Sequence, residues 1–280
     1  MSKDTAIEWC DSTVNPVMGC PGCELWRLGK GGTCYAAAMV ERYRGTKGYP
    51  EEFHSTTLFP DRMFDAVRWT DLAGKERKNK PWLNGLPRTI FVTDMGDMFV
   101  ESVSFDWLEE FVWSPIMLPE GRRHYYFFVT KRPTRMVEYE LWQRHTKGLI
   151  RPHNVMCCTT VTTMKNMARV KKLAELPDTT PKGLMIEPIL EEINLFPTFC
   201  EIDKDRPVDW IVIGAESGPN ARPCKLDWIR QIRDVALEWE IPFFFKQDND
   251  GTEKVSVPEL DGRQHTEMPV IRAAGQGNLV

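Results

Sequence analysis

Three cysteines lie within fifteen residues near the start of the chain. Cys20-Pro21-Gly22-Cys23 is followed, ten residues on, by Cys34 in Thr33-Cys34-Tyr35-Ala36. Gly19, Pro21, Gly22, Gly29, Gly31 and Gly32 surround them, and glycine and proline punctuate regular structure. A loop with three thiols can wrap them around one small object. The run Tyr35-Ala-Ala-Ala-Met-Val-Glu-Arg-Tyr reads as a helix. Cys34 then sits at its N-terminus, where the dipole favours a thiolate. A structural zinc ion takes four protein ligands, one more than the loop offers. A disulfide takes two and leaves one thiol over. An iron–sulfur cluster is held by thiolates, and three of them on a four-iron cluster leave one iron open for a small molecule. Three unrelated thiols is the remaining reading.

A second set of candidates is charged. Asp94, Asp97, Lys131, Arg132, Glu187, Glu216, Ser217, Lys246 and Gln247 lie in the short polar segments in which apolar runs end. Lys131, Arg132 and Lys246 suit a phosphate or carboxylate, Arg by a bidentate fork and Lys as a point charge. Glu187 and Glu216 suit an amino group or a ribose hydroxyl. Gly214 and Gly218 leave room for a ligand to approach the backbone, or else make a tight turn. The chain contains no P-loop, no Gly-x-Ser-x-Gly elbow and no His-Glu-x-x-His.

These residues need a scaffold that brings strand ends together. The apolar runs are 89–93, 125–130, 154–161, 183–186, 208–213 and 242–245, with an opening strand expected at Ala6-Ile7-Glu8-Trp9. Helical text falls at 35–44, 61–67, 104–117, 134–144, 164–176 and 226–239. Short continuous apolar strands alternating with helices predict a parallel sheet covered on both faces. Six such units after an opening strand point to a (β/α) barrel, complete or partial. Ligand sites in such folds lie at the carboxyl ends of the strands, so the charged residues share one mouth. Asp11-Ser12-Thr13 and Asn15-Pro16 read as turns. The expected division is a barrel over 1–250 and a C-terminal extension over 251–280.

Composition narrows the classes. The 280 residues carry a formal net charge of −4, so the whole chain is no basic nucleic-acid binder. A local basic segment, Lys75, Arg77, Lys78, Lys80 and Arg88, reads as a solvated loop or a contact for phosphates. No apolar run is long enough for a membrane span, and the first residues lack the apolar core of a signal peptide. The expected location is the cytoplasm, where eight cysteines serve as ligands or buried thiols rather than disulfides. Cys10, Cys157, Cys158, Cys200 and Cys224 are expected to be buried thiols.

Several motifs carry a resemblance. In order they are Ile7-Glu8-Trp9, Asn15-Pro-Val-Met-Gly-Cys20, Cys34-Tyr-Ala36, Phe91-Val-Thr-Asp-Met-Gly-Asp-Met-Phe99, Val129-Thr-Lys-Arg-Pro133, Asn154-Val155, Ile186-Glu-Pro-Ile-Leu190, Trp210-Ile-Val-Ile-Gly-Ala-Glu-Ser-Gly-Pro219, Ala221-Arg-Pro223 and Pro242-Phe-Phe-Phe-Lys-Gln247. Spanning roughly residues 5 to 248, they resemble the phage-associated three-cysteine-motif family. This is a domain of unknown function found in phages and bacteria and treated as radical-SAM-like. The resemblance implies a partial (β/α) barrel with a [4Fe-4S] cluster on Cys20, Cys23 and Cys34. It also implies S-adenosyl-L-methionine on the open iron.

The cysteine spacing departs from the Cys-x3-Cys-x2-Cys of classical radical SAM enzymes. The insert Glu24 to Thr33 is left to fold in its own way over the open iron. On this reading Glu187, Glu216 and Lys131 are the catalytic candidates. Asp94, Asp97, Arg132, Ser217, Lys246 and Gln247 are the cofactor-binding candidates. The substrate is a nucleotide or related to nucleic acid. The alternative is a phage protein whose cluster or zinc only staples the loop, with the mouth binding nucleic acid or a partner.

Overall fold

Seven parallel strands follow one another across one sheet in the order in which the chain makes them. They are β1 (Ser12–Val14), β2 (Thr89–Val92), β3 (Tyr125–Thr130), β4 (Val155–Thr160), β5 (Lys182–Ile186), β6 (Trp210–Gly214) and β7 (Phe243–Asn249). An eighth, β8 (Lys254–Ser256), pairs antiparallel with β7 at the edge. The sheet curls into a half-barrel and does not close on itself. The computed structural model describes residues 1–148, 154–202, 204–218, 221–249 and 253–270.

Strand residues alternate between the two faces of the sheet. On β3, Tyr126 and Phe128 pack outward with helix Pro133–Lys147, while Tyr125 and Phe127 pack inside the curl. Both faces are apolar, which is why these strands read as unbroken hydrophobic runs. The inner face closes around Trp9, whose ring lies 5.0 Å from Phe91, 5.2 Å from Phe127 and 5.8 Å from Trp210. Burying one such indole and its neighbours removes about 150–250 Å² of surface per ring. Trp9 is therefore the plug of the half-barrel.

This corrects two expectations. Residues 6–9 form no strand; the opening strand is Ser12–Val14, where turn residues had pointed to a bend. Asp11 makes the strand possible, because its carboxylate accepts from the Thr89 backbone N–H and hydroxyl, at 2.9 and 3.0 Å. The basic segment is also engaged within the chain. Arg77 pairs with buried Asp11 at 3.1 Å. Lys80 donates to the carbonyls of Thr5, Ile7 and Cys10, at 2.7, 2.7 and 2.5 Å. Arg88 donates to Thr70, Lys3 and Ser12. Only Lys75 and Lys78 of the five are exposed.

Helical text at 104–117 is one rod with a π-helical turn at Glu109–Trp113. Helix Phe196–Ile202, which the sequence did not announce, follows β5 in the chain, packs beside helix Ala168–Leu173 and buries Phe199 in the outer core. Within the segment 253–270, β8 joins the sheet, and hairpin Glu259–Leu260/Arg263–Gln264 follows it.

Candidate active site

One cavity of about 520 Å³ opens at the carboxyl ends of the strands. All twelve candidates lie in its wall: Cys20, Cys23, Cys34, Asp94, Asp97, Lys131, Arg132, Glu187, Glu216, Ser217, Lys246 and Gln247. The parallel register explains the convergence, since each strand releases its next residue at the same edge.

The cysteine loop is fixed from below. Gly19 has φ +88°, and a Cβ there would meet the Ser55 carbonyl oxygen at 2.2 Å. Its backbone bridges Gly96, where a Cβ would meet the Gly19 carbonyl oxygen at 2.7 Å. The two glycines let the cysteine loop lie directly on the loop after β2. Asn15 fastens the same contact: its amide donates to Asp94 Oδ1 at 2.6 Å and its carbonyl accepts from the Met95 N–H at 2.9 Å. The Tyr35 hydroxyl donates to the Asp94 carbonyl. Burial pushes the Asp94 carboxyl up, against the hydrogen bond from Asn15.

Between Cys23 and Cys34 the insert forms a three-stranded ribbon, Gly22–Cys23, Trp26–Arg27 and Gly31–Gly32. It is tied across the mouth at three points. Glu24 receives a two-pronged contact from Arg169, at 2.8 and 2.9 Å, which brings its pKa down to about 2 despite burial. Thr33 accepts from Arg222 at 3.3 Å. Arg132 donates to the Gly22 carbonyl at 3.2 Å.

The three thiols are free and differ in exposure: Cys20 is buried, Cys23 and Cys34 are half-buried. Cys34 is the N-cap of helix Tyr35–Tyr43, as the spacing predicts. Burial nevertheless pushes the Cys34 thiol up, although the Ala37 and Ala36 backbone N–H groups and Lys131 pull it down. Burial does the same to Cys20, against the nearby Arg132. The helix dipole alone does not make a thiolate here. Among the described residues, no three His, Cys, Asp or Glu side chains converge closely enough for one metal ion as they stand.

The charged candidates divide by what they touch. Asp97 accepts from the Thr130 hydroxyl at 2.7 and 2.8 Å, from the Lys131 N–H at 3.0 Å and from Arg132 at 3.2 Å. Its oxygens are occupied, so it orients Arg132. Glu216 takes both prongs of Arg222, at 2.7 and 2.8 Å, and the Arg222 N–H at 2.9 Å. Chiefly through that contact, its pKa falls to about 2. Gln247 donates to the Ala215 carbonyl at 2.7 Å, and its side chain fills the space beside Gly214. Gly214 thus admits Gln247 rather than a ligand. Lys246 pairs with Glu187 at 2.9 Å, and the nearby Glu187 and Glu8 hold the ammonium charged against strong desolvation. The Lys131 ammonium, unlike its backbone N–H, has no hydrogen-bond or ion-pair partner among the described residues, and Ser217 is exposed at the rim.

Three residues escaped the sequence reading. Glu8 is 5 % exposed and lines the cavity, held by Lys254 at 2.6 Å and Ser256 at 2.7 Å. Lys254 comes from the segment read as an extension. Thr93 lines the wall with φ +67°, an uncommon conformation for threonine. Glu8 stood inside the Ile-Glu-Trp motif, so a signal existed. Lys254 had none.

A family model described as protein of unknown function (DUF5131) matches residues 4–269. The chain belongs to that family. The match spans all eight strands, so the fold and cavity described above are those of a DUF5131 chain. No curated protein and no solved structure matches it. Among the described residues, no helix is long and apolar enough to cross a membrane. Of the other cysteines in this DUF5131 chain, Cys10, Cys157 and Cys158 are buried, Cys224 is half-buried and Cys200 is exposed. Cys200 thus departs from the expected buried thiol.

Proposed function

We propose that this is a radical-SAM-like iron–sulfur enzyme of phage type. Cys20, Cys23 and Cys34 hold a [4Fe-4S] cluster, and the substrate is a nucleotide or related to nucleic acid. One observation carries the reading: three free thiols, and no other cysteine, line the same cavity where the parallel strands end. A single zinc ion needs four ligands meeting at one point. A multi-iron cluster spreads its thiolates over different irons, which suits three thiols that share a cavity without meeting at a point. The charge balance fits as well. Arg132 donates to the Cys20 sulfur at 3.7 Å and Lys131 lies near Cys34, so two cations face the thiolates.

Held by Cys20, Cys23 and Cys34, such a cluster would supply the electron for reductive cleavage of S-adenosyl-L-methionine and so for radical chemistry on a substrate. The chain's own residues do the rest. The ribbon between Cys23 and Cys34 covers the mouth and limits water. Lys131, unpaired, meets an anionic group at the rim. Glu187, fixed by Lys246, accepts a substrate N–H or O–H. Asp97 and Glu216 hold Arg132 and Arg222 in place, and through them the loop.

Anaerobic reconstitution tests the reading. Iron and acid-labile sulfide near four each per chain are expected, with absorption near about 400 nm. Reduction with S-adenosyl-L-methionine present should release 5′-deoxyadenosine. A chain that binds neither iron nor sulfide would sink the reading. The zinc-stapled nucleic-acid binder loses its main support, because Arg77, Lys80 and Arg88 are engaged inside the chain.

A further inference from the structure

Four side chains in the cavity wall each keep one buried polar atom without a hydrogen-bond partner among the described residues. They are Glu8 Oε2, Trp9 Nε1, Thr93 Oγ1 and Glu187 Oε1. Trp9 and Thr93 are each 1 % exposed and Glu8 is 5 % exposed. Buried polar atoms of native proteins are nearly always paired, so four orphans in one wall call for a partner. Each carboxylate is anchored through its other oxygen. Glu8 Oε1 receives Lys254 and Ser256, and Glu187 Oε2 receives Lys246. One oxygen of each is therefore fixed and the other left over.

The chemistry of the partner follows from donors and acceptors. Two ionised carboxylates face two ammonium groups, Lys246 and Lys254, so the wall is neutral and suits a neutral group rather than a cation. The carboxylate oxygens only accept, so the ligand must donate twice. The indole N–H only donates, so the ligand must also accept, while the threonine hydroxyl does either. Apolar side chains, Phe91 and Met185, lie in the same wall. Among the four common bases, guanine alone offers a ring N–H, an adjacent amino group and a carbonyl along one edge.

We propose that this wall reads a guanine-type base, its ring N–H and amino group meeting Glu8 and Glu187 and its carbonyl meeting the Trp9 indole. This rests on the reading of the cavity as a nucleotide-substrate site and names the base. Proteins that act on a base read its pairing edge by hydrogen bonds and flank it with aromatic or apolar groups.

Calorimetric titration of the full chain with guanosine, inosine, adenosine and cytidine tests it, on reconstituted protein and on protein stripped of iron. Guanosine should bind. Inosine, which lacks the amino group, should bind at least about tenfold more weakly, because one buried carboxylate oxygen stays unpaired. Glu187→Gln and Glu8→Gln should each weaken guanosine by about tenfold, and Trp9→Phe by several-fold. Circular dichroism checks that the variants fold, and the inosine comparison needs no variant.

Equal binding of guanosine and inosine, adenosine binding as well as guanosine, or no nucleoside binding by folded protein would overturn the proposal. Displacement of guanosine by S-adenosyl-L-methionine would assign these atoms to the cofactor and also overturn it. Guanosine preference in a chain that takes up no iron would leave the proposal standing while the cluster reading falls. Full iron with no base preference would do the reverse.

Discussion

The Arg132 guanidinium lies 3.7 Å from the Cys20 sulfur and 3.2 Å from Asp97, so one side chain couples the cysteine loop to the end of β3. Hydrogen bonds to cluster sulfurs and nearby charge set reduction potentials. Arg132→Lys keeps a charge but loses the planar fork that serves Cys20, Gly22 and Asp97 together. The expected outcome is retained iron with a reduction potential shifted negative, read by an electron paramagnetic resonance titration. An unchanged potential would remove Arg132 from any role at the proposed cluster.

The ligand set has its own test. Cys20→Ala, Cys23→Ala and Cys34→Ala should each lower iron content after anaerobic reconstitution to less than about half. Cys200→Ala, at an exposed position, should leave it unchanged. Full iron in Cys23→Ala would place the third ligand elsewhere.

Two carboxyls make acid stability predictable. Glu24 and Glu216 are each held near about 2, below their ordinary 4.5. A carboxyl depressed in the folded chain adds stability that is fully present above its unfolded pKa. That stability is lost as pH falls through the folded value. The denaturation midpoint should therefore fall steadily between about pH 4.5 and 2. Arg169→Ala and Arg222→Ala should each flatten that decline while lowering stability at neutral pH.

Lys80 presents a clean case of a charge used for structure. Its three donors all go to carbonyls of the segment that carries Trp9. Lys80→Met should cost about 3 kcal/mol, since hydrogen bonds to a charged group are worth about 1.5–3 kcal/mol each and the methionine recovers some packing. Urea unfolding measures it. Any nucleic-acid affinity should change only as far as the fold does.

The pair Glu187–Lys246 should behave as a unit. Glu187→Gln leaves an ammonium with little access to water and is expected to cost about 2 kcal/mol. Glu187→Gln with Lys246→Met should recover most of that loss in a double-mutant cycle. Strict additivity of the two changes would show that the pair is not coupled.

Six strands were legible because parallel strands buried on both faces must be unbroken apolar runs, and Tyr125–Thr130 reads that way residue for residue. The first strand was not. Ser12 and Thr13 favour turns locally, and only pairing with Ile90 and Phe91, far along the chain, makes them a strand. Ala6 to Trp9 alternates as a strand would, yet the alternation serves to point Trp9 into the curl. The basic segment misled for the same reason. Arg77 and Lys80 find partners near the N-terminus, and no local pattern records a contact between distant segments. The cavity wall was legible where strands end in charge and illegible at Lys254, whose strand is three residues long and exposed.

Glu8 and Ser256 are bonded across 248 positions of chain. During synthesis the Glu8 carboxylate waits for its clasp until the strand that carries Ser256 has emerged, so this part of the chamber wall forms only when two distant segments meet.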